Sequence, residues 1–494
     1  MMQNKTLTFV LAVVLGLFSE YSVSQPGIEF DLKYTSSVSE IPISGRAILI
    51  LCNDTLVDPD IPNPMNPFIT YGMNFRNWQP GEYITVNESN SDGFMSSMDN
   101  LSGYYSIRVL LDLDTSSCIL FIDGTCYSDK RIININQGSP NKIDLEVNNV
   151  LTGQGFRESD TVRLVKLESK LLTEFYGTPT FIEAAIILPS SYFVNASKYY
   201  PVVFVFPGWG ATHVSASLGP DQHKRYGMTG FGEEKIFVFL NQDCRYGYHV
   251  FADSENNGPR ATSFITEFLP YLEEEFRVNR MANGRFLVGQ SSGAWAALWL
   301  QINYPDMFGM VWAGSPDPVD FRDFVGHNLY AKDANLFYDS NGNLTQSFRT
   351  NGKPFSNKEW SDLENALGEG GQYQSFEAVF GKRDVHNKPQ QAYDRHTGKI
   401  FPEVIEHWKK YDINLILREN SDVLRSKLAG KINIVVADND DFYLDGSVKL
   451  LKKTMDELSY ISNINIITET GHSTWSDEIR TRMHRRMDEI IFNK

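Results

Sequence analysis

Cysteine is scarce in this sequence: four residues in 494, at 52, 118, 126 and 244, with no Cys-x-x-Cys pair and no clustered Cys/His spacing. That argues against a zinc-stapled or disulfide-built small scaffold, and a chain of this length can bury a core without either. Cys118 and Cys126 flank a short apolar run and could pair across a hairpin; four cysteines allow three full pairings, and sequence does not choose among them. Long apolar runs are also missing, with one exception. After Leu7–Phe18 no stretch is long enough to span a bilayer. That one run follows Lys5 and precedes Ser22-Val23-Ser24, the charged, apolar, small-residue order of a cleavable signal peptide. Residues 1–24 are therefore expected to be removed after Ser24, and the mature chain to be secreted or periplasmic. Dense basic patches are lacking as well. The formal net charge is −16, which repels phosphate backbones and argues against nucleic-acid binding. Arg480, Arg482, Arg485 and Arg486 come closest to a basic patch. They share a C-terminal helical pattern with Asp488 and Glu489 and read as a solvated face.

What is present is an ordinary globular balance, 42% hydrophobic and 21% charged, with a high aromatic share of 13% that would suit either a core or an aryl- or sugar-binding cleft. Two regions follow the leader. Residues 25–161 read as an all-β accessory domain, a β-sandwich by preference. Short runs at Gly45–Leu51, Tyr105–Asp112, Ile119–Ile122 and Ile143–Val147 predict strands, and Pro59, Pro62 and Pro64 break the chain into a loop. Residues 162–494 alternate strand and helix, which predicts a mostly parallel sheet covered on both faces. Val162–Lys166 and Phe181–Leu188 read as a leading β pair. Val202–Phe206, Ile236–Leu240, Arg285–Val288, Met310–Ala313, Ile432–Ala437 and Ile464–Ile467 read as buried strands. Helical spacing marks Ser263–Phe276, Ser292–Tyr304, Val448–Leu458 and Ile479–Ile491. Between about 315 and 431 the alternation breaks into a polar, aromatic insertion, expected to lie over the carboxyl edge of the sheet as a lid.

The chemistry concentrates at three places in the second region. Gly289-Gln290-Ser291-Ser292-Gly293 fits G-x-S-x-G between a predicted strand and a predicted helix, where a sharp turn exposes the serine hydroxyl and leaves no room for bulky neighbours. A serine hydroxyl needs a base. His472 follows the last predicted strand and precedes the final helix; His213 and His249 lie in loops that could also reach a cleft there. A carboxylate must then orient the imidazole. Strand Ile432–Ala437 ends in Asp438-Asn439-Asp440-Asp441, and spacing alone leaves Asp438, Asp440 and Asp441 open. The oxyanion of an acyl-transfer intermediate needs preorganised N–H donors: the backbone of Ser292, and Gly208 or Trp209 in the loop Pro207-Gly208-Trp209-Gly210.

These residues resemble the putative-esterase family of α/β hydrolases, which includes feruloyl and acetylxylan esterases, S-formylglutathione hydrolase and enterochelin esterase. The resemblance spans about Lys166 to Asn493. It is carried by Tyr200–Gly208, by Ala252–Pro259, by Val288–Ala294, and by the segments around Asp440–Leu444 and Gly471-His472-Ser473. It departs from the pattern at Pro207 and Ala437. It implies the α/β-hydrolase fold, with Ser291 as nucleophile, His472 as base and Asp440, of the three acids, as the orienting carboxylate. It further implies that Asn256 or Asn257 touches substrate at the cleft rim. The expected activity is hydrolysis of a carboxylic ester, small or polysaccharide-linked, without a metal or cofactor. An acyltransferase or thioesterase on the same residues, or a glycan-binding protein on a hydrolase scaffold, are the alternatives.

Overall fold

The computed structural model describes residues 27–492 apart from 115, 137–140, 220–222, 224–231 and 350–353. The expected leader, residues 1–24, lies outside the described residues. Among those described, no helix is long and apolar enough to cross a membrane.

The first region is all-β, as composition and spacing predicted. Its strands are β1 (Ile28–Tyr34), β2 (Ile43–Cys52), β3 (Ile69–Trp78), β4 (Ile84–Val86), β5 (Asp92–Phe94), β6 (Gly103–Asp112), β7 (Cys126–Ser128), β8 (Arg131–Ile135) and β9 (Asn141–Val150). They join in one network of order β4-β1-β9-β7-β6-β2-β3-β5, with β8 pairing separately on β6. Only β1 and β9 run parallel. Strand β6 forks: Leu110 and Leu111 face β7, whereas Gly103–Ile107 face β8. The network packs over a main core that includes Phe30, Leu49, Tyr71, Trp78, Val109 and Val147, and a smaller cluster of Ile48, Ile50, Phe68 and Leu110 lies apart from it.

Two expectations for this region are corrected. Ile119–Ile122 is a loop, not a strand. Its apolar residues serve another purpose: Cys118 and Ile119 pack on the core of the second region, and the Cys118 N–H donates to Asp243 Oδ1 at 2.9 Å. With no hairpin there, Cys118 and Cys126 are not brought together, and all four cysteines are free thiols.

The second region is built on β10 (Val162–Glu168), β11 (Phe181–Ile187), β12 (Val202–Phe206), β13 (Ile236–Leu240), β14 (Arg285–Gln290), β15 (Met310–Gly314), β16 (Ile432–Asn439) and β17 (Asn463–Thr470). Their order is β10-β11-β13-β12-β14-β15-β16-β17. The first two junctions are antiparallel and the remaining five parallel. This is the α/β-hydrolase order. The central strands read as unbroken apolar runs because both faces are covered: all five residues of Val202–Phe206 are buried, and separate apolar clusters lie on the two sides of the sheet. Helix α1 (Ser292–Asn303) buries eleven of its twelve residues, consistent with a helix that is apolar all round. The helix predicted at Ser263–Phe276 begins earlier, at Arg260, and carries a π-turn at Phe264–Phe268.

The segment between β15 and β16 is helical with long loops. It contains α2 (Asn357–Leu367) and α3 (Gln372–Phe380), then short helices at Pro402–Trp408, Ile413–Glu419 and Ser421–Lys427. Helix α2 starts with a capping box, in which Ser356 and Glu359 satisfy each other's backbone N–H groups. Its far end is closed from the β region: the buried Arg46 guanidinium donates to the carbonyls of Asn365 and Ala366 and pairs with Asp92 at 2.8 Å. A side chain at Gly72 would sit 2.0 Å from the Ala366 carbonyl oxygen, so the glycine permits this close approach. Phe94 of β5 and Phe348, Phe355 and Leu363 of the insertion form one apolar cluster across the joint.

Helices α4 (Leu444–Glu457) and α5 (Asp477–Phe492) complete the fold. The arginines of α5 depart from a uniformly solvated face. Arg485 and Arg486 are exposed, but Arg480 reaches the wall of a cavity and Arg482 lies 5.5 Å from the Trp312 ring. Asp488 holds the buried Lys235 ammonium at 2.6 Å.

Candidate active site

Five segments end at the carboxyl edge of the parallel strands, where open α/β sheets hold their ligands. Gly208 and Trp209 follow β12, Ser291 follows β14, Asp317 follows β15, Asp440 follows β16 and His472 follows β17.

The turn at Ser291 is tight. Its φ is 57° and ψ −125°, a region that L-residues rarely occupy. A side chain at Gly289 would sit 2.1 Å from the Gly293 carbonyl oxygen, and one at Gly293 would sit 2.1 Å from that of Phe206. Both glycines of the motif are thus demanded by space, and the serine is pinned between β14 and α1. The Ser291 N–H donates to the Gly314 carbonyl at 2.9 Å, which ties the turn to β15. Ser292 opens α1, so its N–H has no intrahelical partner and points out of the helix start. Gly208 sits against the serine from the other side: a Cβ there would lie 3.2 Å from that of Ser291. Trp209 packs on Tyr248, with ring centroids 4.8 Å apart.

Of the three acids left open by spacing, Asp440 faces the imidazole. It is fully buried, and its Oδ2 lies 3.0 Å from His472 Nδ1. Its Oδ1 accepts from the Phe442 N–H at 2.9 Å. Asp441 accepts from the backbone N–H of His472 at 2.9 Å, so the two neighbours divide the work of holding one histidine. Asp438 is exposed. Phe442 meets the imidazole edge-on at 4.8 Å, and Gln290 donates to the His472 carbonyl at 3.0 Å.

Ser291 and His472 line one cavity of about 640 Å³. Gly208, Trp209, Asp317 and Gln372 line it as well, together with a belt of rings from Trp360, Tyr373, Phe376, Phe442 and Trp475. Three of these rings and Gln372 belong to the insertion, and Met65 reaches the cavity from the proline-rich loop of the β region. In this structure the Ser291 hydroxyl donates to Asp317 Oδ1 at 3.3 Å rather than to the imidazole.

Several expected residues lie elsewhere. Asn256 and Asn257 are buried away from this cavity. The Asn256 amide donates to the carbonyls of Ala378 and Gly381 at 3.0 Å each, which fastens the end of α3 to the loop that carries Asn256, and the Asn257 side-chain amide oxygen accepts from the Cys244 thiol. Their place is structural because the insertion covers the segment that would otherwise be the rim. His249 is buried, with Nδ1 accepting from the Phe251 N–H, and His213 stacks on Phe156. Among the described residues His472 is the only histidine lining the cavity. Sequence reasoning missed Asp317 and Gln372. Asp317 left one signal, an acid between two prolines directly after a parallel strand; Gln372 left none.

A family model described as putative esterase matches residues 178–457, more than half of the chain. The chain belongs to the putative-esterase family. No curated protein matches it. Among solved structures it is similar to a ferulic acid esterase, at 19% identity and a TM-score of 0.41 over 67% of this chain and 97% of that one. It is also similar to an S-formylglutathione hydrolase from Agrobacterium tumefaciens, at 12% identity and a TM-score of 0.37 over 68% and 97%. A third similar structure is dipeptidyl peptidase 4 from Porphyromonas gingivalis, at 12% identity and a TM-score of 0.40 over 85% and 46%. As a member of this family the protein is a hydrolase of the esterase type.

Proposed function

We propose that this putative-esterase family member is an exported carboxylic ester hydrolase that works through Ser291, His472 and Asp440 and an acyl-enzyme intermediate. The observation that carries the reading is the 3.0 Å contact of buried Asp440 with His472 Nδ1, in a histidine that shares a cavity with the strained Ser291 turn. Asp440 fixes the tautomer that leaves Nε2 free to take the serine proton. Ser291 rotates off Asp317, attacks the ester carbonyl and passes its proton to Nε2. The backbone N–H groups of Ser292 and of the Gly208–Trp209 loop hold the oxyanion. Nε2 then protonates the leaving alcohol, and water, deprotonated by the same imidazole, releases the acid. No cofactor enters these steps. The aromatic belt supports a substrate with a flat or extended apolar part, small or attached to a polysaccharide. Export rests on the leader pattern of residues 1–24. Ser291→Ala should lower hydrolysis of p-nitrophenyl acetate by about 10⁴-fold or more while leaving the thermal midpoint within a few degrees. Wild-type turnover in that variant overturns the assignment.

A further inference from the structure

His472 already has its carboxylate in Asp440, yet a second one, Asp317, borders the reacting hydroxyl. It is 4% exposed and lines the cavity. Its two oxygens are served unequally. Oδ2 accepts from Ser292 Oγ at 2.6 Å and from Gln372 Nε2 at 3.3 Å. Among the described residues Oδ1 accepts one hydrogen bond, the 3.3 Å contact from Ser291 Oγ.

That bond cannot survive the reaction assigned to the site. When Ser291 gives its proton to His472, the hydroxyl has nothing left to donate. Oδ1 then takes its next hydrogen bond from a donor in the cavity, at the moment when negative charge forms on the neighbouring substrate oxygen. An unpaired buried carboxylate is costly, and one beside a developing oxyanion is more so. Burial has pushed the Asp317 carboxyl up to about 6, so at neutral pH the group carries its charge into that step. Oδ1 lies 3.3 Å from Ser291 Oγ in the resting rotamer, and a χ1 change of about 120° moves that oxygen by only about 2 Å. A substrate donor that reaches Oδ1 must therefore sit within a few bonds of the scissile carbon.

We propose that Asp317 is a specificity-determining residue that accepts a hydrogen bond from a hydroxyl or ammonium group placed next to the scissile ester of the substrate. The assignment rests on the esterase reading above and narrows it to esters with a vicinal protic donor, on either the alcohol or the acyl side. Simple alkyl esters leave Oδ1 unsatisfied and react more slowly. Gln372 and Ser292 hold the carboxylate in place for this contact.

The test compares four esters on the full-length protein at pH 7.5 by pH-stat: ethyl butyrate, 2-hydroxyethyl butyrate, ethyl 2-hydroxybutyrate and ethyl 2-aminobutyrate. Each kcat/KM is divided by the hydroxide-catalysed rate of the same ester, which removes differences in intrinsic reactivity. The alcohol-side and acyl-side arms tell which part of the substrate carries the donor. The wild type should prefer at least one donor-bearing ester over ethyl butyrate by tenfold or more. Asp317→Ala should lose at least fivefold of that preference, a ratio that is internal to the variant and unaffected by a general loss of rate. Labelling of Ser291 by a fluorophosphonate shows that the variant is folded. Equal corrected rates in the wild type overturn the assignment without need of any variant, as does a preference unchanged in Asp317→Ala. If ethyl butyrate is turned over without donor preference, the Asp317 assignment fails and the esterase reading stands; if no ester is turned over and Ser291 does not label, both fall.

Discussion

Single side chains at the sheet edge carry the proposed chemistry, and their demands differ. Asp440 must be an anion in contact with the imidazole, which an amide cannot reproduce. Asp440→Asn presents Nδ1 with an acceptor or a donor, permits the wrong tautomer, and should lower kcat for p-nitrophenyl acetate by about 10³–10⁴-fold with little change in KM. A loss below tenfold in steady-state kinetics would remove Asp440 from the mechanism. How far the site could be read in advance follows residue by residue. The placement of Ser291 and His472 at strand ends was legible because chain order sets each directly after an apolar run. Asp440 was legible only with the family resemblance, since Asp438 and Asp441 satisfy the same spacing; burial separates the three, and burial depends on packing from distant segments. Asn256 and Asn257 misled because polar residues in a loop look available until the end of α3 is laid over them.

At the level of elements, the insertion is held by two devices that periodicity does not reveal. One is Glu364 on α2. Its buried carboxylate accepts from the backbone N–H groups of Tyr373 and Gln374 at the start of α3, and from the Trp360 indole. Burial pushes this carboxyl up to about 7 from 4.5, so the folded state holds a proton that the unfolded state has released at mildly acidic pH. The stability it contributes is complete below pH 4.5 and is lost as pH rises through 7. Between pH 5.5 and 8 the wild type should therefore lose about 2 kcal/mol relative to Glu364→Gln, measured as the difference in urea unfolding free energy. A gap that does not change with pH would contradict this. The other device is Arg46, which closes the last turn of α2 from the β region. Arg46→Met keeps much of the stem but strips the carbonyls of Asn365 and Ala366 of their donor, and should cost about 2 kcal/mol in urea unfolding. A loss under about 0.5 kcal/mol would show that water replaces the guanidinium. Strands and helices were legible where packing is local to the sheet, as in Val202–Phe206 and α1. Ile119–Ile122 was misread because its apolar residues belong to a contact between regions.

Across the whole molecule, the cleft is composite. The sheet edge supplies Ser291, Asp317 and His472, the insertion supplies Trp360, Gln372, Tyr373 and Phe376, and the β region supplies Met65. Three parts of the chain, with Met65 far upstream of the other two, thus define one cavity, and no pattern along the sequence encodes their meeting. The order of strands, by contrast, follows from alternating apolar runs and the few right-handed connections they permit. The proposed chemistry requires Ser291 to be an activated nucleophile in the folded protein. Treating the intact protein with a fluorophosphonate probe and mapping the adduct by peptide mass spectrometry tests it directly. One adduct is expected, on Ser291, lost on heat denaturation and in His472→Ala. An unlabelled protein, or an adduct on another residue, would contradict it.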